Sequence, residues 1–148
     1  MIKITDCKEN IINCWQEAFG DSSEDILFFI NNVREADCLG YYVGDELASM
    51  LYLVESSLGK YVYAACTLKK YRGLGYMREL LNFCKDKFSR ICLIPANEGL
   101  IDYYKKCGLV IAKNLNELTF NQTQEINEYL FDGCELKEPF VMVYERNV

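Results

Sequence analysis

The segment that most restricts the fold is a strand-to-helix junction in the middle of the chain. Tyr61 to Leu68 is a run of aromatic, aliphatic and small residues suited to a strand. It passes directly into Lys69-Lys70-Tyr71-Arg72-Gly73-Leu74-Gly75-Tyr76. From there Met77, Leu80, Leu81, Cys84 and Phe88 recur at helical spacing, and Ile91 to Ile94 is a short apolar run cut by Pro95. Strand, helix, strand in that order implies a crossover, which lays two strands side by side in parallel.

The flanks extend this unit in both directions. Met1 to Ile4 is a short first strand, and Asp6 with Glu9 resembles a capping box. Ile11, Ile12, Trp15, Ala18 and Phe19 then share a helical face that Gly20 terminates. Ser22 with Asp25 repeats the capping signature ahead of Ile26, Phe29, Ile30 and Val33. Leu39–Val43 and Leu47–Val54 read as a hairpin around Gly44-Asp45-Glu46, with a further turn at Ser56–Lys60. Past Pro95, Asn97–Lys106 is a helix ended by Gly108, Leu109–Ile111 a strand, Gln122–Leu130 a short helix or a loop, and Phe140–Tyr144 a final strand. This pattern predicts an α/β (α+β) class, a mixed sheet with helices on both sides. At 148 residues, without repeats or a Pro/Gly-rich linker, one domain over 1–148 is expected.

Composition narrows the function classes. A net charge of −6 with no Lys/Arg block argues against nucleic acid, which requires clustered cations, and mildly favours a cationic acceptor. The eight cysteines contain no CxxC pair and read mostly as small buried hydrophobes. With no histidine, Ser/His and Cys/His nucleophilic machinery is excluded and no metal site is expected. No signal-peptide core and no run of membrane-spanning length is present, so the expected location is the cytoplasm, without membrane association.

Two segments carry chemistry. Glycines at a strand-to-helix junction let backbone amides approach an anion, and the helix N-terminus favours negative charge; Arg72 adds a charge-assisted contact, and Lys69, Lys70 and Arg78 make the surroundings cationic. Gly73 and Gly75 are equally consistent with a plain tight turn. Neither GxxxxGK[ST] nor a GxGxxG after the first strand is present, which sets aside the P-loop and dinucleotide folds. In the second segment Asn97 and Tyr104 lie two helical turns apart on one face with Leu100 and Ile101. A phenol with a pKa of about 10 is suited to protonating a departing thiolate. The alternatives are an N-cap for Asn97 and a core aromatic for Tyr104.

Taken together, Arg72-Gly73-Leu74-Gly75 and, 25 residues on from Arg72, Asn97…Tyr104…Gly108 resemble the GNAT superfamily of acyl-CoA-dependent N-acetyltransferases. The order of elements over most of the chain is similar to that family's. The resemblance implies a sheet of about six to seven strands with splayed fourth and fifth strands, flanked by about four helices. It implies acetyl-CoA as co-substrate: Ala65, Cys66 and Thr67 would offer backbone groups to the pantetheine arm, and Arg72, Gly73, Leu74, Gly75, Tyr76 and Met77 would hold the pyrophosphate. Asn97 would hydrogen-bond the cofactor, and Tyr104 would be the general acid toward the CoA sulfur. A backbone N–H near Cys66 would polarise the acetyl carbonyl for direct attack by a primary amine.

Met77 replaces the small residue that usually closes the glycine motif, Leu100 stands where alanine is common, and Cys92 occupies the strand position where some relatives carry a glutamate base. Glu55 is a substitute candidate for that base; the alternatives are an exposed turn residue at that position and a water chain in the base's place. The acceptor, an amine-bearing small molecule or peptide, is expected to contact the first two helices, their loop and the tail from Asn114, with Trp15, Phe19, Phe28 and Phe29 as either pocket or core. A monomer or homodimer is expected. A CoA-binding domain without turnover and a purely structural module are the alternatives to an active enzyme.

Overall fold

The strand Glu46–Ser56 organises the molecule, because every residue from Leu47 to Val54 is buried. A strand covered on both faces reads as a continuous apolar run rather than an alternation, and helices must then lie on either side of it. The computed structural model describes residues 1–147 and meets that requirement.

The elements follow in the order β1 (Ile2–Thr5), α1 (Lys8–Phe19), α2 (Ser23–Asn32), β2 (Ala36–Val43), β3 (Glu46–Ser56), β4 (Gly59–Thr67), α3 (Tyr76–Lys87), β5 (Arg90–Leu93), α4 (Glu98–Lys106), β6 (Ile111–Lys113), α5 (Gln124–Phe131) and β7 (Val141–Glu145). Among the described residues the sheet has seven strands in the order β1-β2-β3-β4-β5-β7-β6, antiparallel except for the parallel pair β4 and β5. On one face α1, α2 and α5 bury Ile11, Trp15, Ile26, Phe29 and Ile126 against Tyr52, Val54 and Tyr61. On the other, Leu80, Leu81 and Cys84 of α3 pack on Leu51, Leu53 and Ile91. Trp15 and Phe29 meet edge-on at 5.4 Å, and Phe29 meets Tyr52 at 5.2 Å. Such pairs contribute about 1 kcal/mol each beyond their buried area.

Most local signals act as their chemistry requires. Ser22 caps α2, its hydroxyl accepting from the Asp25 N–H at 3.1 Å. Asp6 and Glu9 form no capping box: Cys7 takes the N-cap position and no side chain caps α1, so Glu9 falls at the second helical residue, one short of the position a box needs. Strand β6 begins at Ile111 rather than Leu109. Gly108 leaves α4 at φ +96° and the Leu109 N–H bonds back to the Tyr104 carbonyl at 3.0 Å, so Leu109 closes the helix instead of entering the sheet. The five helices among the described residues exceed the expected four because Gln122–Leu130 resolves to α5, capped by the Thr123 hydroxyl accepting from Ile126 N–H. Six of the cysteines are buried thiols, whereas Cys7 is exposed and Cys134 half-buried.

Gly59 holds β4 against β5. It has φ +102°, and a Cβ there would lie 2.6 Å from the Arg90 carbonyl oxygen. Gly44, in the hairpin turn between β2 and β3, also has positive φ, but its surroundings are open. Gly44→Ala should cost about 1 kcal/mol from backbone strain alone, and Gly59→Ala about 2 kcal/mol or more because backbone must also move. Urea unfolding of the two variants checks this; equal losses would contradict the close approach.

Candidate active site

Strands β4 and β5 are paired at two positions only, Lys60 with Ile91 and Tyr61 with Cys92. Beyond them the strands diverge, for two local reasons. Between Met50 and Tyr52 the register of β3 against β4 slips, so that β4 advances three positions, from Tyr63 to Cys66, where β3 covers two; Ala64 stands in this bulge at φ 54°, a conformation rarely taken by a residue with a side chain. On the other side β5 ends at Leu93, and Pro95 has no N–H with which to continue a ladder. The edge of β4 past Val62 is left without a strand partner on its β5 side.

The gap opens into a cavity of about 320 Å³. Val62, Ala64 and Ala65 of β4 form one wall, and Leu93, Ile94, Leu100 and Tyr104 the facing one. Tyr104 is half-buried on α4, and its hydroxyl has no hydrogen-bond partner among the described residues. Burial, with smaller contributions from Tyr103 and Cys107, pushes its pKa up to about 12, so the phenol carries its proton at neutral pH. Trp15, Phe19 and Asp21 border the opposite end with Tyr63 and the segment Asp132 to Cys134.

One turn beyond β4 lies the glycine loop. A single-turn 3-10 helix, Lys69–Tyr71, leads into Gly73 at φ 81° and Gly75 at φ 84°, and Gly75 is the N-cap of α3. Open space surrounds both glycines, so their role is conformational, and no side chain caps the free N–H groups that begin α3. Arg72 donates from Nε to the Thr67 carbonyl at 3.1 Å, while its terminal nitrogens have no partner among the described residues. The loop is anchored from outside. The Tyr71 hydroxyl donates to Glu46 at 2.7 Å, Lys70 pairs with the same carboxylate at 2.8 Å, and Tyr76 stacks on Tyr41 with ring centres 4.1 Å apart. Glu46 therefore offsets much of the Lys70 charge, leaving Arg72 and Lys69 as exposed cations without a salt bridge among the described residues.

The structure brings some predicted residues together and separates others. Ala65 and Tyr104 face one cavity. Cys66 turns its thiol to the α1 face, 3.6 Å from the Cys14 sulfur, and its carbonyl accepts from the Ser49 hydroxyl; the Thr67 hydroxyl also meets Ser49, at 2.8 Å. Asn97 is exposed and caps α4, its Oδ1 accepting from Leu100 N–H at 3.1 Å, which leaves its NH2 group available. Met77 is half-buried against the α3-side core. Glu55 pairs with Lys60 at 2.7 Å on the surface and does not line the cavity, because Lys60 lies opposite it in the β3–β4 register. Of the aromatic candidates, Trp15 serves both core and cavity, Phe29 is core, Phe19 is exposed at the cavity's border, and Phe28 is exposed and stacked on Tyr129. Sequence reasoning passed over Ala64, Asp21 and Asp132. An alanine gives no sign of a left-handed bulge, and the two aspartates carry only the signal of following helix ends.

A sequence model described as the acetyltransferase (GNAT) family matches residues 4–109. A comparison with curated proteins finds no match. Solved structures share the fold at low identity. An acetyltransferase of Bacillus subtilis in complex with CoA is 12% identical, with 99% of this chain and 98% of that one covered at TM-score 0.65. A GNAT family acetyltransferase of Elizabethkingia anophelis with acetyl-CoA bound is 14% identical over 99% and 97%, at TM-score 0.64. The ribosomal-protein-S18-alanine N-acetyltransferase of Escherichia coli is 14% identical over 100% and 94%, at TM-score 0.65.

The raised pKa of Tyr104 has a consequence for stability. The unfolded chain loses this proton near pH 10 and the folded one near pH 12, so the folded state holds more protons between those values. The contribution is complete below the unfolded pKa and is lost as pH rises through the folded one. Tyr104→Phe should therefore unfold with a urea midpoint that falls less steeply between pH of about 10 and about 12 than that of the wild type; identical slopes would contradict a desolvated phenol.

Proposed function

The chain belongs to the acetyltransferase (GNAT) family, and from that premise we propose that it transfers an acetyl group from acetyl-CoA to a primary amine. The observation that carries this reading is the divergence of β4 from β5, which leaves an unpaired strand edge, a cavity and the Tyr104 phenol in one place. The residues present fit the donor. Gly73 and Gly75 in left-handed conformation, the uncapped start of α3 and the exposed Arg72 suit a diphosphate. The free β4 edge at Ala65 to Thr67 suits an amide-bearing arm, and the Asn97 NH2 group is available for a further hydrogen bond.

When bound, acetyl-CoA supplies an activated thioester. The protein's part is positioning, polarisation and one proton. The Gly73–Met77 amides with Arg72 hold the diphosphate, and backbone N–H on the bulged part of β4 polarises the acetyl carbonyl. As the amine forms the C–N bond it gives up a proton to water, and Tyr104 keeps its own proton until the C–S bond breaks and then donates it from the phenol oxygen to the sulfur. Leu93, Ile94, Ala96 and Leu100 give the cavity an apolar wall on the β5–α4 side. The acceptor enters from the end bordered by Trp15 and Asp21, on the face opposite α3, so that donor and acceptor approach from different sides of the sheet.

Thermal shift with acetyl-CoA tests donor binding. Wild type should be stabilised, and Arg72→Glu should lose most of that shift by placing a carboxylate beside the diphosphate; negligible shifts in both proteins would refute binding. Acetyl transfer to a panel of amines tests catalysis. Tyr104→Phe should lower kcat by about a hundredfold, the usual scale for a general acid, with little change in the KM for acetyl-CoA. Unchanged turnover would remove Tyr104 from that role, and binding without any turnover would identify a CoA-binding domain rather than an enzyme.

A further inference from the structure

Building on the proposed acetyl transfer, we infer that the acceptor is an aliphatic diamine or polyamine: its distal ammonium sits at the cavity end bordered by Asp21 and Asp132 while its other nitrogen, having given up its proton to water, reaches the acetyl group near Tyr104. The cavity is continuous from Tyr104 to these two carboxylates, and among the described residues no lysine or arginine lines it. An ammonium at the far end therefore meets two negative charges and no competing positive one.

Asp21 and Asp132 are both exposed; the Asp21 carboxylate is held through one oxygen, and Asp132 only through the backbone segment that carries it. Gly20 ends α1 at φ 75°, and the Trp15 indole N–H donates to Asp21 Oδ2 at 2.9 Å, leaving Oδ1 without a partner among the described residues. Asp132 follows α5 and lies within a tethered segment. The Tyr61 hydroxyl donates to the Leu130 carbonyl at 2.7 Å, the Cys134 thiol to the Pro95 carbonyl at 3.3 Å, and the Glu135 N–H to the Ala96 carbonyl at 2.7 Å. The Asp132 carboxylate itself accepts no hydrogen bond among the described residues. Tyr63 lines the cavity together with both aspartates, and its pKa is raised by burial first and then by the charges of Asp21 and Asp132.

The walls between the two ends are aromatic or aliphatic. Trp15, Phe19 and Tyr63 line the acidic end and offer ring faces and edges to a methylene chain. The combination suits a flexible apolar spacer with a charge at its far end. An acceptor with a carboxylate in place of the distal ammonium would instead bring a third negative charge to the same spot.

Putrescine, butylamine and γ-aminobutyrate share a four-carbon chain and differ at the distal group, so they isolate this claim. In acetyl transfer by the full chain, putrescine should exceed butylamine in kcat/KM by about tenfold or more, with γ-aminobutyrate slower than both. In the double variant Asp21→Asn/Asp132→Asn, which keeps an oxygen for the Trp15 indole, the putrescine-to-butylamine ratio should collapse to about one. A ratio near one in the wild type, or a ratio unchanged in the variant, overturns the assignment. Calorimetric titration of the three compounds into the protein, with and without CoA, separates this from the donor reading. Putrescine heat lost in the variant supports the acidic site even if acetyl-CoA fails to bind, and no selective putrescine binding overturns it even if acetyl-CoA binds well.

Discussion

The contact between β4 and β5 is the constraint on which the rest of the structure depends. Two residue pairs hold the parallel strands together at their origin, and they are possible because Gly59 brings backbone against Arg90 where no side chain fits. A sheet fully zipped at this point would have no cavity, and one not joined there would separate into β1–β4 and β5–β7. The bulge at Ala64 then turns β4 away, and Pro95 prevents β5 from following. Backbone that would have been satisfied by a neighbouring strand is instead left to bind something else.

The two helical layers stabilise this opening from opposite sides. Trp15 of α1 meets Phe29 of α2 and Tyr63 of β4 edge-on, and α3 covers the far face with Leu80 and Leu81. Trp15 links the layers to the site, because its rings are buried in the core while its N–H orients Asp21 at the cavity border. The glycine loop is similarly fixed by outward contacts, Tyr71 and Lys70 on Glu46 and Tyr76 on Tyr41, which leave the terminal nitrogens of Arg72 and the amides of early α3 free. Rigid supports around unsatisfied polar groups are the arrangement expected of a preorganised binding site.

Much of the fold was legible in the sequence because its signals are local. The parallel pair followed from strand, helix and strand between Tyr61 and Ile94, and Ser22 capped α2 as its spacing indicated. Asp6 failed as a cap because a one-residue shift in the helix start breaks the box, and Leu109 failed as a strand residue because a glycine C-cap draws its N–H back to Tyr104. The residues proposed to hold the donor, Arg72, the glycines and Tyr104, carry local sequence signals. Those proposed for the acceptor carry none: Asp21 and Asp132 come from loops 111 residues apart, and only the folded sheet brings them to one cavity. Ala64 was illegible for a different reason, since its conformation is imposed by the slip in strand register rather than preferred by the residue.

Amide hydrogen exchange with and without acetyl-CoA measures most directly whether the open edge of β4 is the donor site. Acetyl-CoA should slow exchange at amides of Tyr63 to Thr67 and of Gly73 to Met77, leaving the β1–β2 edge unchanged. Protection confined to other elements, or none under conditions where acetyl-CoA is bound, would contradict the account.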